Sequence, residues 1–281
     1  MQDPLVYLNG ELTPLSEAKV PVLDRGFIFG DGVYEVIPIY ERKLFRARQH
    51  MERLFRSLNA VRIANPHSED EWMALIDRVT SAHPADTQLV YLQVTRGVAK
   101  RAHAFPADTK PTVLIMTNAF SPPAAEVVAS GVRCVSTDDL RWLRCDIKSI
   151  SLLGNVLAAQ HAVDHGALEA IQFRDGFLSE GASSNVWVVK NGQLMGPPKD
   201  TLILEGIRYG LIEELCAACG IPFATRRIAR DEVFAADEVI LSSAGREVLA
   251  VAAIDGKPVG DGKPGPVFQQ LYTAYQDAKR A

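Results

Sequence analysis

The sequence predicts a two-domain protein of the α+β or α/β class. The chain has 281 residues, 47% of them hydrophobic, which allows two domains of moderate size with substantial cores. Strand patterns and helix patterns both recur along it. The proline-rich stretch SPPAAEV begins at Ser121, so we expect one domain over 1–120, a linker over 121–130 and a second domain over 131–281.

A hairpin and a strand are predicted at the start of the chain. Asn9 and Gly10 form a turn dipeptide between two short extended runs. The glycines of DRGFIFGDGVYEV do not match a nucleotide-binding loop, because Glu35 stands where the third glycine of G-x-G-x-x-G belongs and a strand pattern over 33–40 follows. We interpret this stretch as a tight backbone passage that directs Tyr34 from the start of the strand.

Two helices and two further strands follow in the first half. Apolar residues at helical spacing predict an amphipathic helix over 47–61. Ser68 and Glu71 form a capping box for a second helix, which extends to about residue 82. The β-branched and aromatic residues of QLVYLQVTRG and TVLIMTNAF predict two strands.

Three polar side chains of the first half are candidate anion ligands. Arg53 flanks the apolar face of the first predicted helix, and its guanidinium can reach inward to phosphate oxygens. Arg101 and His103 lie two positions apart in the loop between the two strands, an arrangement that can bind a carboxylate. An ordinary solvent-exposed position is the alternative for each of them.

One lysine stands out in the second half. Lys148 is the one lysine of the segment 141–189, which is otherwise mostly apolar or small. A lysine close to an aspartate, here Asp146, is commonly a surface residue in an ion pair. Apolar residues then recur at helical spacing as far as Val163, and Gly166 stands where a C-terminal cap belongs, so Lys148 is predicted to lie just ahead of a buried helix. A lysine in that setting is a candidate amine nucleophile.

Residues downstream of the lysine supply an acid and two anion-binding positions. Glu180 follows Lys148 by 32 positions (180 minus 148), at the end of a strand and on the edge of the small-residue loop SEGASSNVW. The first amides of the next predicted helix, at Ile207 and Arg208, can bind a phosphate. The small-residue turn that contains Ala244, in LSSAGREV, suits the same anion.

The remaining elements of the second half are marked by turn residues. Asp175-Gly176 and Asn191-Gly192 are turn dipeptides with strand patterns on each side, so they predict two hairpins. The segment PVFQQLYTAYQDAKRA predicts a closing helix.

Charge and composition exclude several classes of function. The formal net charge is -4 and no basic stripe is present, so nucleic acid is not an expected partner. No apolar run reaches the roughly 18 residues of a membrane-spanning helix and the N-terminus lacks a secretory signal, so we expect a cytoplasmic protein without membrane contact. The Cys216/Cys219 pair and the His161/His165 pair both lack the further ligands of a metal site, so no metal is expected.

Four motifs together resemble those of a known enzyme family. They are DRGFIFGDGVYEV, TRGVAKRAHAFP, RWLRCDIKS and SEGASSNVW, in this order over nearly the whole chain. The combination is similar to the D-amino-acid and branched-chain transaminase superfamily, the fold type IV class of pyridoxal phosphate enzymes, with the greater likeness to D-amino-acid transaminases. The resemblance implies a small N-terminal α/β domain, a larger C-terminal pseudobarrel domain and pyridoxal 5′-phosphate as cofactor.

The resemblance also implies roles for the cofactor ligands. Lys148 is the residue that joins the cofactor as a Schiff base and carries the proton during catalysis. Glu180 is the partner of the pyridine nitrogen, which keeps the ring protonated and electron-withdrawing. Four positions are implied as phosphate ligands: Arg53, Ile207, Arg208 and Ala244.

The implied substrates are amino acids and 2-oxo acids, of the D-alanine and 2-oxoglutarate type. Tyr34, Arg101 and His103 are implied as the trap for the substrate α-carboxylate, which turns the α-hydrogen toward Lys148. In the family, the loop that carries the last two residues reaches across from the neighbouring subunit. A homodimer is therefore implied.

Two positions depart from the D-amino-acid pattern. Arg208 stands where the family commonly has a threonine, and Ala244-Gly245 replaces a pair of threonines. The backbone amides remain while hydroxyl contacts are lost. We therefore expect the departures to affect substrate range and cofactor affinity more than the type of reaction.

Other functions remain open on the sequence. L-branched-chain transaminases, (R)-amine transaminases and aminodeoxychorismate lyase-like enzymes share this cofactor and fold. A pyridoxal phosphate carrier without turnover and a cofactor-free binding protein are the alternatives that are not enzymes.

Overall fold

The chain forms two compact units in a computed structural model that describes residues 3–280. The first unit runs to Ser121 and also contains Ile147–Leu152. The second consists of Pro122–Asp146 and the chain from Leu153 onward. Lys148 therefore packs with the first unit, although it lies within the residues of the second predicted domain. The domain bounds of 1–120, 121–130 and 131–281 stay a prediction.

The first unit is built on a six-stranded antiparallel sheet. Its strands are β1 (Leu5–Leu8), β2 (Glu11–Pro14), β3 (Gly32–Tyr40), β4 (Lys43–Leu44), β5 (Gln88–Thr95) and β6 (Thr112–Ala119). They pair in the order β2-β1-β6-β5-β3-β4. Its helices are α1 (Arg25–Phe29), α2 (Ala47–Ala60) and α3 (Glu69–Ser81).

Local signals place these elements as predicted. Asn9, with a φ of 50°, and Gly10, with a φ of 110°, form the turn between β1 and β2. The Ser68 amide donates to Glu71 Oε2 at 2.7 Å and the Glu71 amide donates to Ser68 Oγ at 3.3 Å, which confirms the capping box of α3. The three strands predicted after the first hairpin are confirmed as β3, β5 and β6, and the helix predicted over 47–61 is confirmed as α2.

The core of the first unit lies between the sheet and helices α2 and α3. It also holds the buried polar side chains of Glu35, His50 and Arg53. Its apolar members include Val33, Ile37, Met51, Leu54, Leu58, Trp72, Ile76, Leu92 and Ile115.

The second unit is built on a nine-stranded mixed sheet. Its strands are β7 (Val132–Asp138), β8 (Glu169–Arg174), β9 (Phe177–Gly181), β10 (Asn185–Lys190), β11 (Gln193–Gly196), β12 (Phe223–Thr225), β13 (Glu238–Ser243), β14 (Glu247–Ile254) and β15 (Lys257–Pro258). The order is β12-β11-β10-β13-β14-β7-β8-β9, with β15 paired to β14. Strand β7 runs parallel to β8 and β14, and β11 runs parallel to β12.

Five helices belong to the second unit. They are α4 (Ala125–Ser130), α5 (Leu153–Asp164), α6 (Ile207–Cys219), α7 (Arg230–Phe234) and α8 (Pro266–Arg280). The buried Glu238 accepts hydrogen bonds from the amides of Val267 and Phe268 at 2.9 and 2.8 Å, so a carboxylate caps the start of the predicted closing helix, α8. Among the helices within residues 3–280, none combines the length and apolar character needed to cross a bilayer.

The two hairpins predicted for the second half are confirmed. Asp175 and Gly176 connect β8 to β9, with φ angles of 52° and 78°. Asn191 and Gly192 connect β10 to β11, with φ angles of 51° and 76°. A two-residue hairpin turn of this type requires positive φ at both central positions. Asn-Gly and Asp-Gly are common in such turns because these residues adopt positive φ readily.

The helix that follows the candidate lysine, α5, differs from its prediction. Gly166 has a φ of 63° just beyond its end, as a C-terminal cap requires. Its larger apolar side chains, however, face outward, with exposed fractions of 72% for Leu153, 58% for Val156 and 63% for Leu157, while its buried residues are Ala158 and Ala162. The prediction of a buried helix is therefore wrong for the single chain. Periodicity identifies an apolar face but not what covers it.

Candidate functional site

Lys148 lies on a short segment beside the start of β3. Its carbonyl oxygen accepts a hydrogen bond from the Tyr34 amide at 3.0 Å, and its own amide donates to Ser57 Oγ at 3.3 Å. Lys148 Nζ lies 4.1 Å from the centroid of the Tyr34 ring, a cation–π distance. The structure therefore brings together two of the residues that the motifs single out.

Glycines allow the lysine segment to approach β3 closely. A Cβ on Gly30, where φ is +65°, would lie 2.6 Å from Ser151 Oγ. On Gly32 it would lie 3.0 Å from Ile150 Cδ1 and 2.6 Å from the Val94 carbonyl oxygen. Since a side chain at either glycine meets these atoms, the glycines of DRGFIFGDG serve a tight backbone passage, as predicted.

Tyr34 is supported by a second tyrosine. The rings of Tyr34 and Tyr91 are stacked, with centroids 5.7 Å apart. The Tyr91 hydroxyl donates to Gln93 Oε1 at 2.6 Å. Burial raises the pKa of Tyr91 to about 12, and Tyr34 adds to the rise. Tyr91 is therefore a neutral donor near pH 7, and Tyr34, Tyr91 and Gln93 form a polar strip on the sheet beside Lys148.

Arg53 is held by a carboxylate in the core of the first unit. Glu35 is fully buried and accepts hydrogen bonds from Arg53 Nε at 2.7 Å and Arg53 Nη2 at 2.8 Å, and it contacts His50 Nδ1 at 2.7 Å. Burial opposes ionisation of Glu35, but Arg53 and His50 outweigh it and hold the pKa of Glu35 well below its usual range. Arg53 is buried, so the solvent-exposed alternative does not hold: its guanidinium reaches inward and meets the Glu35 carboxylate, and its role as a phosphate ligand stays a prediction.

The substitution Glu35→Gln is expected to lower the free energy of unfolding by about 3–5 kcal/mol, because it buries the Arg53 charge without its carboxylate. The stabilisation from Glu35 is present above its ordinary pKa of 4.5 and is lost as the pH falls below that value, because the folded-state pKa is the lower one. Urea unfolding at pH 7 measures the loss. As a control, Glu232→Gln breaks the exposed pair with Arg226 and should cost less than about 1 kcal/mol. Equal losses would contradict the prediction.

Arg101 and His103 lie in the loop between β5 and β6 and approach the same aromatic ring. Arg101 Cζ is 5.3 Å from the Phe29 ring centroid, and the His103 ring centroid is 5.5 Å from it. Both residues are exposed to solvent. The structure therefore gathers the two predicted carboxylate ligands beside one residue of α1.

Glu180 is buried at the end of β9 in the second unit. Its carboxylate binds Arg141 Nη1 and accepts hydrogen bonds from the Leu204 amide at 3.1 Å and Asn185 Nδ2 at 3.2 Å. Burial raises the pKa of Glu180, and the positive charge of Arg141 opposes the rise. Asp139 in turn accepts from Arg141 Nε and Nη2, both at 2.9 Å. Burial opposes ionisation of Asp139, but Arg141 holds its pKa at about 2.

Asn185 connects Glu180 to the start of α6. Its Nδ2 donates to the Leu204 carbonyl oxygen at 2.8 Å in addition to Glu180. Its Oδ1 lies 2.2 Å from where a Cβ on Gly206 would be, and Gly206 is the N-cap of α6. Glu180 is therefore tied to the segment ahead of α6 both directly, through the Leu204 amide, and through Asn185.

Ile207 and Arg208 are the first residues of α6, as predicted. Their amides lie at the positive end of the helix dipole, which favours an anion. The Arg208 side chain is buried, and its Nε donates to the Tyr275 hydroxyl of α8 at 3.2 Å.

Ala244 lies in the tight turn between β13 and β14. Arg246, from the same turn, binds Glu169 through Nη1. Glu169 also accepts hydrogen bonds from Ser183 Oγ at 3.1 Å and Ser184 Oγ at 2.8 Å. A single buried carboxylate thus joins the SEGASSNVW loop to the second predicted anion-binding turn.

The side chains that hold the site were not found from the sequence. Arg141 and Glu180 are 39 positions apart, and Glu169 and Arg246 are 77 positions apart. No local pattern joins residues at such separations. The one available signal was the acidic Glu35 inside the apolar strand pattern VYEVIPIY.

The two cysteines of the C-x-x-C pair lie on one helix. Cys216 and Cys219 lie on α6 with free thiols. Within residues 3–280, no group of three or more histidine, cysteine, aspartate and glutamate side chains is placed to hold a metal ion.

Comparison with known families decides what the chain is. The family model described as amino-transferase class IV matches residues 32–254. The chain belongs to the class IV aminotransferase family. The match includes β3, the Lys148 segment, Glu180 and both predicted phosphate positions of the second unit.

Individual relatives match this aminotransferase over almost its whole length. A D-alanine aminotransferase from Staphylococcus aureus (strain MSSA476) is 42% identical over 272 residues, 96% of each chain. The crystal structure of the Escherichia coli branched-chain amino acid aminotransferase has a TM-score of 0.93 at 28% identity, covering 98% of this chain and 94% of that one. The T.th. branched-chain amino acid aminotransferase with pyridoxamine 5′-phosphate has a TM-score of 0.93 at 25% identity, covering 99% and 95%.

These comparisons confirm three predictions for the aminotransferase. They confirm the fold type IV class, the assignment as an aminotransferase and pyridoxal 5′-phosphate as the cofactor. The roles of the individual site residues stay predictions.

Proposed function

We propose that this aminotransferase moves the amino group between D-amino acids and 2-oxo acids, of the D-alanine and 2-oxoglutarate type. The observation that carries the proposal is the identity of 42% to a curated D-alanine aminotransferase, against 28% to the branched-chain enzyme of E. coli. The placement of Arg101 and His103 beside Phe29 supports it, because two donors there can bind an α-carboxylate together.

The donor set fits pyridoxal phosphate. The chain supplies a half-buried lysine amine, a buried carboxylate paired with Arg141, and two turn or helix-start positions suited to an anion. The bound cofactor supplies an aldehyde for imine formation and a ring that withdraws electrons while its nitrogen is protonated. We assign the phosphate ligands to Arg53, Ile207, Arg208 and Ala244.

The protein residues then have separate tasks. Lys148 would hold the cofactor through its ε-amino group, and the same amine would take up and return the proton of the substrate α-carbon. Glu180 holds the proton on the ring nitrogen, because an ionised carboxylate favours the protonated ring. Tyr34, Arg101 and His103 bind the substrate carboxylate and so decide which face of the α-carbon Lys148 meets.

A half-reaction with paired enantiomers tests the proposed substrate class. We expect D-alanine to convert the visible spectrum of the bound cofactor at least about 100-fold faster than L-alanine or L-leucine, because a fixed carboxylate presents only one α-hydrogen to Lys148. Stopped-flow absorbance without an acceptor measures the rate. Conversion by L-leucine alone would favour the branched-chain alternative, and no conversion by either enantiomer would contradict the proposed substrate class.

We also propose a homodimer whose loop residues act in the neighbouring subunit. The apolar side chains of α5, including Leu153 and Leu157 with 72% and 63% exposed, form a surface of the kind that oligomers cover. The four free cysteines suit a reducing compartment, which supports our proposal of a cytoplasmic location.

Hybrid dimers test whether the loop acts in the neighbouring subunit. Lys148→Ala and Arg101→Ala chains with different tags are co-expressed, and the mixed dimer is purified. If Arg101 acts across the dimer, one site carries both defects and the other carries none, so about half of the normal activity returns. A hybrid no more active than the two parents would contradict the arrangement.

A further inference from the structure

The loop that carries Arg101 and His103 is bound by a second arginine, from α1. Arg25 is 3% exposed. Its Nη1 donates to the Ala102 carbonyl oxygen at 2.6 Å and its Nη2 to the His103 carbonyl oxygen at 3.4 Å. The Arg25 amide donates to the Gly97 carbonyl oxygen at 2.9 Å. Arg25 therefore contacts the backbone of this loop at two places. One is the start of the loop, at Gly97, and the other is the stretch that carries the predicted carboxylate ligands.

The Arg25 guanidinium is itself fixed by Asp31. Arg25 Nε donates to Asp31 Oδ2 at 2.7 Å, and Arg96 Nε donates to the same oxygen at 2.8 Å. Arg96 also donates to the Val61 carbonyl oxygen at 2.7 Å, which connects the group to the end of α2. Burial opposes ionisation of Asp31, but the two arginines outweigh it and lower the pKa of Asp31. The guanidinium of Arg25 thus has a charged and anchored partner near neutral pH.

The fork of Arg25 holds the backbone of the loop, whereas other contacts of this segment are to side chains: Arg96 Cζ and Arg62 Cζ lie 3.7 and 4.8 Å from the Phe105 ring centroid. Residues 101–105 are exposed and form neither helix nor strand. A planar guanidinium with several donors at set angles can fix two successive carbonyl groups, which a flexible ammonium does not. The Phe29 ring contacts both arginines. Arg25 Cζ lies 4.8 Å from its centroid, and Arg101 Cζ lies 5.3 Å from it.

We propose that Arg25 is a positioning residue for substrate binding, which sets the direction of the Arg101 and His103 side chains by holding the carbonyl groups of the loop. The inference rests on the proposed binding of the substrate carboxylate by Arg101 and His103. Arg25 acts through these residues and does not touch the substrate. Misplacement of a binding group by about 1 Å is enough to lower turnover efficiency by on the order of 100-fold.

Arg42 offers a matched control in the same unit. Its Nε donates to Asp86 Oδ1 at 2.7 Å, and its Nη1 and Nη2 donate to the carbonyl oxygens of His83 and Pro84 at 2.8 and 2.7 Å. This is the same pattern of one carboxylate and two successive backbone carbonyls, in a loop that carries none of the proposed site residues.

The experiment measures kcat and KM for D-alanine in Arg25→Gln, Arg25→Lys and Arg42→Gln. We expect Arg25→Gln to raise KM about 10- to 100-fold while kcat at saturation falls less than about threefold. Arg25→Lys should show a smaller increase, because the charge beside Asp31 remains but the fork is lost. Arg42→Gln should leave KM within about twofold. The cofactor spectrum and Tm of each variant show whether it is folded and loaded.

A double-mutant cycle separates positioning from general destabilisation. If Arg25 acts through Arg101, Arg25→Gln should raise KM far less when Arg101→Ala is already present. An unchanged KM in Arg25→Gln, or independent effects in the double variant, would overturn the inference. An unchanged KM in Arg101→Ala would instead refute the proposed carboxylate trap, so the two failures are distinguishable. If Arg25→Gln does not fold, the same cycle is measured with Arg25→Lys.

Discussion

Replacing Lys148 with alanine is expected to lower kcat by about 10⁴-fold or more, because the chain loses both its covalent attachment to the cofactor and its proton carrier. The Lys148 amine lies beside Tyr34 at the start of β3, where its neighbours are ordered by backbone hydrogen bonds. Alanine keeps those bonds, so the variant should fold. Steady-state turnover with D-alanine and 2-oxoglutarate measures the loss.

Lys199→Ala is the matched control, because Lys199 Nζ also lies over a tyrosine ring, 4.9 Å from the centroid of Tyr209. That variant should retain normal turnover. Borohydride treatment should fix cofactor to the peptide that contains Lys148 in the wild-type protein and in Lys199→Ala, but not in Lys148→Ala. Normal turnover in Lys148→Ala, or cofactor fixed to another lysine, would refute the assignment.

Replacing Glu180 with glutamine is expected to lower kcat by on the order of 100-fold, with a smaller change in KM. An amide carries no charge, so it no longer favours the protonated ring nitrogen on which electron withdrawal depends. The amide oxygen can still accept the hydrogen bonds from Leu204 and Asn185, and Arg141 keeps its two bonds to the Asp139 carboxylate, so the Arg141 charge remains paired and the local fold should persist. Single-turnover rates with D-alanine measure the effect on chemistry directly.

The pH profile of Arg141→Gln also tests the proposed role of the Glu180 charge, through its ion-pair partner. Burial raises the pKa of Glu180 and Arg141 opposes that rise, so removal of Arg141 raises the pKa further. Since the proposed role of Glu180 requires its ionised form, the acid limb of kcat/KM should move to higher pH. Arg174→Gln is the control, because Arg174 pairs with Asp139 while Arg141 keeps its contact with Glu180. If the acid limb of kcat/KM lies at the same pH in Arg141→Gln as in the wild-type protein, the proposed role of the Arg141–Glu180 pair would be contradicted.

Three buried carboxylates of this chain share one feature, an arginine partner. Glu35, Glu169 and Glu180 are all buried, and each is paired with an arginine. Removing one member of such a pair leaves an uncompensated charge, whereas replacing an exposed pair costs little. Substitutions that alter these pairs should therefore lower the free energy of unfolding as well as any activity that depends on them.

Much of the local structure was determined by sequence alone. The Asp175-Gly176 and Asn191-Gly192 hairpins follow from positive φ, and the start of α3 follows from its capping box, since both depend on residues within a few positions of each other. The motifs around Lys148 and Glu180 identified the family, which the comparison confirmed.

The tertiary structure alone decided which charges meet and which apolar faces are covered. The contact of Arg141 with Glu180, the burial of Arg53 against Glu35 and the hold of Arg25 on the loop after β5 join residues distant in sequence. The outward face of α5 was misassigned for a related reason, because hydrophobic periodicity defines a face and not its partner. Local energies act over a few residues, whereas ion pairing and burial depend on which distant segments the folded chain brings into contact.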